Sequence, residues 1–170
     1  AGPFTGTLMK TAGQGVKVIG VKAAVPLDRA PERPGELCGG YGEDGKLWVE
    51  GAEWLYAGAS PIVHVGCSCP TQRFHLDWYK RSYVPEAYRH ALGVVDPNGN
   101  LILHVGRYGN YDSGFGAQSK IPVGGDQIAM IQPRFVSGTD DYLAFTDWCE
   151  RIVVLKLNYH AEETVPIQMK

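Results

Sequence analysis

The chain has 170 residues, with 16 Lys+Arg against 18 Asp+Glu and a formal net charge of −2. At 18.6 kDa it is long enough for one ordinary domain with a buried core. The near-neutral balance and a pI of about 6.2 argue against a nucleic-acid binder or a protein held on an anionic membrane, both of which carry basic patches. No stretch approaches the roughly 18 consecutive apolar residues of a membrane-spanning helix, so no membrane insertion is expected. The 22 Gly and 11 Pro are the texture of a turn-rich β protein rather than of a helical bundle. A start at Ala1-Gly2-Pro3, without Met or a basic-then-apolar leader, suggests processing, excision from a longer chain or expression as a defined piece.

Residues 1–36 carry one strand-like stretch, Val16–Val21, and Pro26, Pro31 and Pro34 then interrupt any regular element. This part reads as an extended arm or connection. From Leu37 onward short apolar runs alternate with turns, as in Leu47-Trp48-Val49 and Ile62-Val63-His64-Val65. The clearest local signal is the run from Gly93 to Val105. Asn98-Gly99 sits there between aliphatic segments, which predicts a β-hairpin closed by a type I′ turn with positive φ at both central residues. Residues 106–127 are rich in Gly, Tyr and Asp and lack periodicity, which predicts a long loop. Tyr142–Phe145 and Ile152–Leu157 read as two further strands.

Two helical alternatives compete with strands. Pro85–Gly93 has Pro near a helix start and Gly just past its end, and Thr139-Asp140-Asp141 can open a helix running through Trp148. Strands are favoured because a gapless internal repeat supports them in both places. Arg73-Phe74 and Arg134-Phe135 stand 61 residues apart. At the same offset Val84-Pro85-Glu86 meets Phe145-Thr146-Asp147, and Ala91–Val94 meets Ile152–Leu155. An acidic residue thus follows the second strand of each copy, and an apolar third strand begins a few residues later.

These residues carry a resemblance. Asp96 to Gly106, a Gly-containing turn followed by a strand and a terminal Gly, resembles the closing hairpin of an NHL-type β-propeller repeat. Phe145 to Leu155, an apolar strand followed by Asp147, Arg151 and another apolar strand, resembles the centre of that repeat. More narrowly, Cys67-x-Cys69, Arg73-Phe74, Asp77, Arg81, Val84-Pro85-Glu86 and Tyr108-Gly-Asn-x-Asp-Ser113 are similar to NHL-like proteins of planctomycete-type bacteria that are predicted to be secreted. The resemblance implies an all-β fold of about three NHL-like blades, in which 37–66 is a partial unit, 67–107 a blade, 108–127 a loop and 128–170 a blade. It also implies export to a periplasmic or extracellular compartment. Propellers close with typically 4–8 blades, so three units form a partial propeller, completed by another polypeptide or by the remaining blades of the same one.

The four cysteines, Cys38, Cys67, Cys69 and Cys149, are too few for a disulfide scaffold. Cys67 and Cys69 are poorly placed to bond to each other. One bridge from Cys38 or Cys149 to either is geometrically open and would imply an oxidising compartment. The same stretch offers metal chemistry, because His64, Cys67, Cys69 and His75 are ligand types that suit zinc or copper. The plainer reading, a disulfide or buried thiols, is the favoured one. On one strand His75 and Asp77 would share a face and could serve as a ligand or acid/base pair. Propeller lyases of peptide amidation, which use His ligands for zinc, are the enzymatic precedent within the resemblance, but their full His set finds no match here. The preferred role for Asp77 is a structural contact with Arg73 or Arg81.

Glu86, Asp147 and Arg151 are expected to satisfy buried polar groups between strands or blades. Tyr108, Tyr111 and Phe115 are candidates for a partner-binding surface, while Trp48, Trp54, Trp78 and Trp148 are expected in the core. The functional expectation is a non-catalytic scaffold or binding module within a larger assembly. The alternatives are a metal-dependent propeller enzyme with its site near Cys67, Cys69 and His75, and a subunit of a redox complex.

Overall fold

The computed structural model describes residues 7–13, 15–20, 37–38, 46–59, 73–109, 113, 128–148 and 151–158. Every regular element among them is a β-strand, and the fold is all-β, arranged in several small sheets. In chain order the strands are β1 (Thr7–Thr11), β2 (Lys17–Gly20), β3 (Leu37–Cys38), β4 (Lys46–Glu50), β5 (Ala52–Ala57), β6 (His75–Leu76) and β7 (Ser82–Glu86). They continue with β8 (Ala91–Val95), β9 (Leu101–Val105), β10 (Arg107–Tyr108), β11 (Ala129–Met130), β12 (Val136–Gly138), β13 (Tyr142–Thr146) and β14 (Ile152–Lys156).

Strands β6 to β9 form a four-stranded antiparallel meander, each paired with its neighbour in sequence. Strands β12 to β14 form a second, three-stranded meander. The 61-residue offset relates them: β8 falls on β14 residue for residue, and β7 falls within one residue of β13. The two Arg-Phe dipeptides that marked the repeat lie side by side. Arg73 forms a parallel bridge with Phe135, its N–H donating to the Arg134 carbonyl at 3.3 Å and its carbonyl accepting from Val136 at 3.0 Å.

Both helical alternatives are overturned by strands, β7–β8 in the first stretch and β13 in the second, and for the first the cause is tertiary. All five residues of β7 and all five of β8 are buried, so the pair is covered on both faces, whereas a helix of similar sequence would bury one stripe. On one face Tyr83, Leu92 and Val94 pack against Met130, Val136, Leu143, Phe145 and Val153. On the other, Val84 and Val95 pack with Ala59 against Leu8, Trp54 and Tyr56. The four-stranded sheet is therefore the middle layer between β12–β14 and the β1–β5 pair.

The segment read from sequence as an arm takes part in this packing. Its β1 pairs antiparallel with β5, and its β2 pairs with β4. Of the four Trp expected in the core, Trp48 is buried and Trp54 half-buried, but Trp78 and Trp148 are exposed because they follow Asp77 and Asp147 in turns. Within the expected 106–127 loop, Arg107-Tyr108 pairs in parallel with Ala129-Met130.

The β8–β9 hairpin forms as expected, with a different turn. Only Gly99 takes positive φ, at 87°, and Asn98 does not, so the turn is not type I′. Two local features select the alternative. Pro97 fixes a negative φ at the first central position. The Asp96 carboxylate accepts from the backbone N–H groups of Asn98 and Asn100, each at 2.8 Å. The tip docks on β5, where the Trp54 indole donates to the Pro97 carbonyl at 2.9 Å. A Cβ on Gly99 would lie 2.7 Å from the Trp54 ring. Gly99→Ala is accordingly expected to destabilise the protein by about 2 kcal/mol, combining left-handed strain with overpacking. Urea unfolding measures this, and Gly99→Ala in a Trp54→Ala background should cost less.

Candidate functional site

Three carboxylate–arginine turns organise the sheet ends. The first is Asp77-Trp78-Tyr79-Lys80-Arg81, which joins β6 to β7. The Asp77 N–H donates to the Arg81 carbonyl at 3.0 Å. In return the Asp77 carboxylate accepts from the Arg81 backbone N–H at 2.8 Å and from its Nε at 2.6 Å. The second is Asp147-Trp148-Cys149-Glu150-Arg151, which joins β13 to β14 and repeats the same bonds. Arg151 additionally reaches the carbonyls of Ser113 at 3.1 Å and Ala129 at 3.3 Å, tying the turn to β11. Both carboxylates are buried while their arginines stay about a quarter exposed. This is the arrangement in which a charge is removed from water with its partner's hydrogen bonds in place.

The third turn follows β7, at the position that the 61-residue offset equates with Asp147. Here the buried acid is Glu86, its side chain only 1% exposed. Tyr56 from β5 donates a hydrogen bond to Oε1. Arg89 Nε lies 3.2 Å and His104 Nε2 3.0 Å from Oε2, within ion-pair range, although neither aims an N–H squarely at that oxygen. Space for the carboxylate comes from Gly93 across the strand pair, where a Cβ would stand 2.5 Å from Oε1. Burial first, then the hydrogen bond to Glu86 and its negative charge, push the Tyr56 phenol well above the ordinary value of 10.0. The cluster holds charge in place and joins β5, β7 and β9.

Of the other sequence candidates, His75 opens β6, but Asp77 falls beyond that strand, in the turn. The expected shared face is therefore absent, and the Asp77 carboxylate is taken by Arg81. The His75 ring is tilted against Tyr83 at 6.0 Å and lies over Gly138, where a Cβ would come within 2.8 Å of it. Arg73 contributes its backbone to the bridge between the two meanders. His64, Cys67 and Cys69, with Tyr111 and Phe115, lie outside the described residues. Among the described residues no group of three or more His, Cys, Asp or Glu is arranged to hold a metal ion.

Tyr108 is 56% exposed and meets the His90 ring edge-on at 4.8 Å. His90 in turn accepts from the Gln132 N–H through Nδ1 at 3.2 Å, and burial lowers its pKa, which suits a neutral acceptor. His90, Tyr56 and His104 were not foreseen. The twin Asp-Trp-x-x-Arg turns were legible as a literal repeat, but at a spacing of 70 rather than 61 residues.

No protein-family model, curated protein or solved structure matches this chain.

Two outcomes test the turns. Asp147→Asn leaves Arg151 without its carboxylate and is expected to cost about 3 kcal/mol in urea unfolding. Tyr56 keeps its proton in the folded state to higher pH than in the unfolded chain, so its stabilising contribution is intact below pH 10 and lost as the pH rises beyond that value. The drop in stability above pH 10 should be shallower in Tyr56→Phe, as read from urea midpoints across that range.

Proposed function

We propose that this chain is a non-catalytic scaffold or binding module of the NHL-like β-propeller type, whose two meanders are blades within a larger propeller or multi-subunit assembly. The observation that carries this reading is the apolar character of the outer strands. Strand β9 ends the four-stranded sheet, yet Leu101, Ile102 and Leu103 are all at least two-fifths exposed. Strand β14 ends the three-stranded sheet with Ile152 77% and Val154 60% exposed. An exposed apolar patch of this kind marks a surface that another chain covers. The face-to-face packing of two meanders at a fixed sequence offset and the parallel Arg73–Phe135 bridge just ahead of their first strands also suit adjacent blades.

The buried acids support a non-catalytic role. Asp77 and Asp147 are each consumed by the arginine four residues on, and Glu86 is enclosed by Tyr56, Arg89 and His104. The two aspartates, engaged in this way, hold their strands together.

Native mass spectrometry of the protein from its natural source tests the proposal. A mass well above 18.6 kDa with a second polypeptide retained is expected, and the double variant Ile152→Lys/Val154→Lys should release that partner while keeping the far-UV spectrum of the parent. A lone 18.6 kDa species would overturn it.

A further inference from the structure

A cleft of about 400 Å³ lies between the β1–β5 pair and the start of the four-stranded sheet. Its wall is apolar where Leu8 and Met9 of β1, Trp54 of β5, and Phe74 and Leu76 at β6 converge. That volume is within the range of small-molecule sites, which combine apolar walls with a few placed polar groups. Two lysines reach the cleft, and they differ. The Lys10 ammonium is spent on Glu53 at 2.6 Å, with the Pro97 carbonyl at 3.4 Å. Lys80 has no ion-pair partner among the described residues. Its backbone is fixed instead: Lys80 sits at φ 61°, its N–H donates to the Asp77 carbonyl at 3.0 Å, and the Asp77–Arg81 pair closes the turn around it.

We propose that this cleft binds a small amphiphilic carboxylate, its aliphatic or aromatic body against Trp54, Phe74 and Leu76 and its charged end at Lys80. The charge count selects the class. With one lysine in the cleft that has no ion-pair partner among the described residues, the site matches a monoanion, whereas a phosphate carries more charge and acceptor oxygens than a single lysine satisfies. An apolar cation would meet repulsion from Lys80, and a wholly apolar ligand would leave that lysine unused. The turn also gives the Asp-Trp-x-x-Arg motif a second consequence, since the pair that joins β6 to β7 holds the backbone of the lysine that lines the cleft. This inference is independent of the assembly reading, because it concerns neither β9 nor β14.

Isothermal titration with submillimolar dodecanoate, dodecanol and dodecyltrimethylammonium tests it on the full chain. Saturable one-site binding of dodecanoate is expected, with the alcohol weaker and the cation weakest. Lys80→Met should weaken dodecanoate about five-fold, the scale of one exposed charge contact, and leave dodecanol unchanged. Leu76→Asp should weaken both more than tenfold. Both side chains are exposed, and Phe74→Ser replaces Leu76→Asp if that variant loses its near-UV spectrum. The proposal is overturned by absence of saturable dodecanoate binding, by binding indifferent to Lys80→Met or to the wall variants, or by preference for the cationic amphiphile.

Discussion

The structure depends on a sheet that is buried from both sides. Strands β7 and β8 keep none of their ten residues in water, so neither face can serve as a solvent face and each must find a neighbouring layer. Alternation of side chains then assigns partners automatically. Tyr83, Leu92 and Val94 point one way, to β12–β14, while Val84 and Val95 point the other, to β1 and β5. The N-terminal strands are thereby needed for the packing of the middle sheet. The β8–β9 hairpin is held the same way, through Trp54 beneath Pro97 and Gly99.

Double-sided burial leaves little room for charge, and the few charges admitted are organised. Each buried acid lies where a strand enters or leaves a turn, and the carboxylates of Asp77 and Asp147 take up backbone N–H groups there that would otherwise be left open. Asp77 and Asp147 solve the problem within five residues, using the arginine four positions on. Glu86 is held across strands instead: Oε1 accepts from Tyr56 of β5 in space left by Gly93, and Arg89, together with His104 of β9, lies within ion-pair range of Oε2. Local turns need only their own sequence, whereas the Glu86 cluster requires the layers already stacked.

That distinction explains what could be read in advance. The hairpin, the strands after Tyr142 and Ile152, and the 61-residue relation of the meanders are written in short runs and a gapless repeat. The turn type at Asp96–Gly99 was not, because Asn-Gly suggests one geometry while the preceding Asp-Pro enforces another. The helix-or-strand ambiguity over Pro85–Gly93 was real at the local level and was decided by contacts with residues distant in sequence, from Tyr56 on one side to Met130, Leu143 and Phe145 on the other. Exposure of Trp78 and Trp148 follows from their place after a turn-forming Asp, which outweighs the hydrophobicity of the indole. The Lys80 cleft was invisible in sequence, since its walls come from residues 8–11, 54 and 74–97 and meet only once β1 has paired with β5.

The central claim is that one sheet is clamped between two layers while its outer strand stays uncovered in the isolated chain. Residue-resolved amide hydrogen exchange tests it most directly. The account predicts that interior amides of β7 and β8 exchange slowest, together with those of β13, and that the outward-facing amides of β9 exchange orders of magnitude faster. Protection of β9 equal to that of β8 in the isolated chain, or rapid exchange of β7 while β13 stays protected, would contradict it.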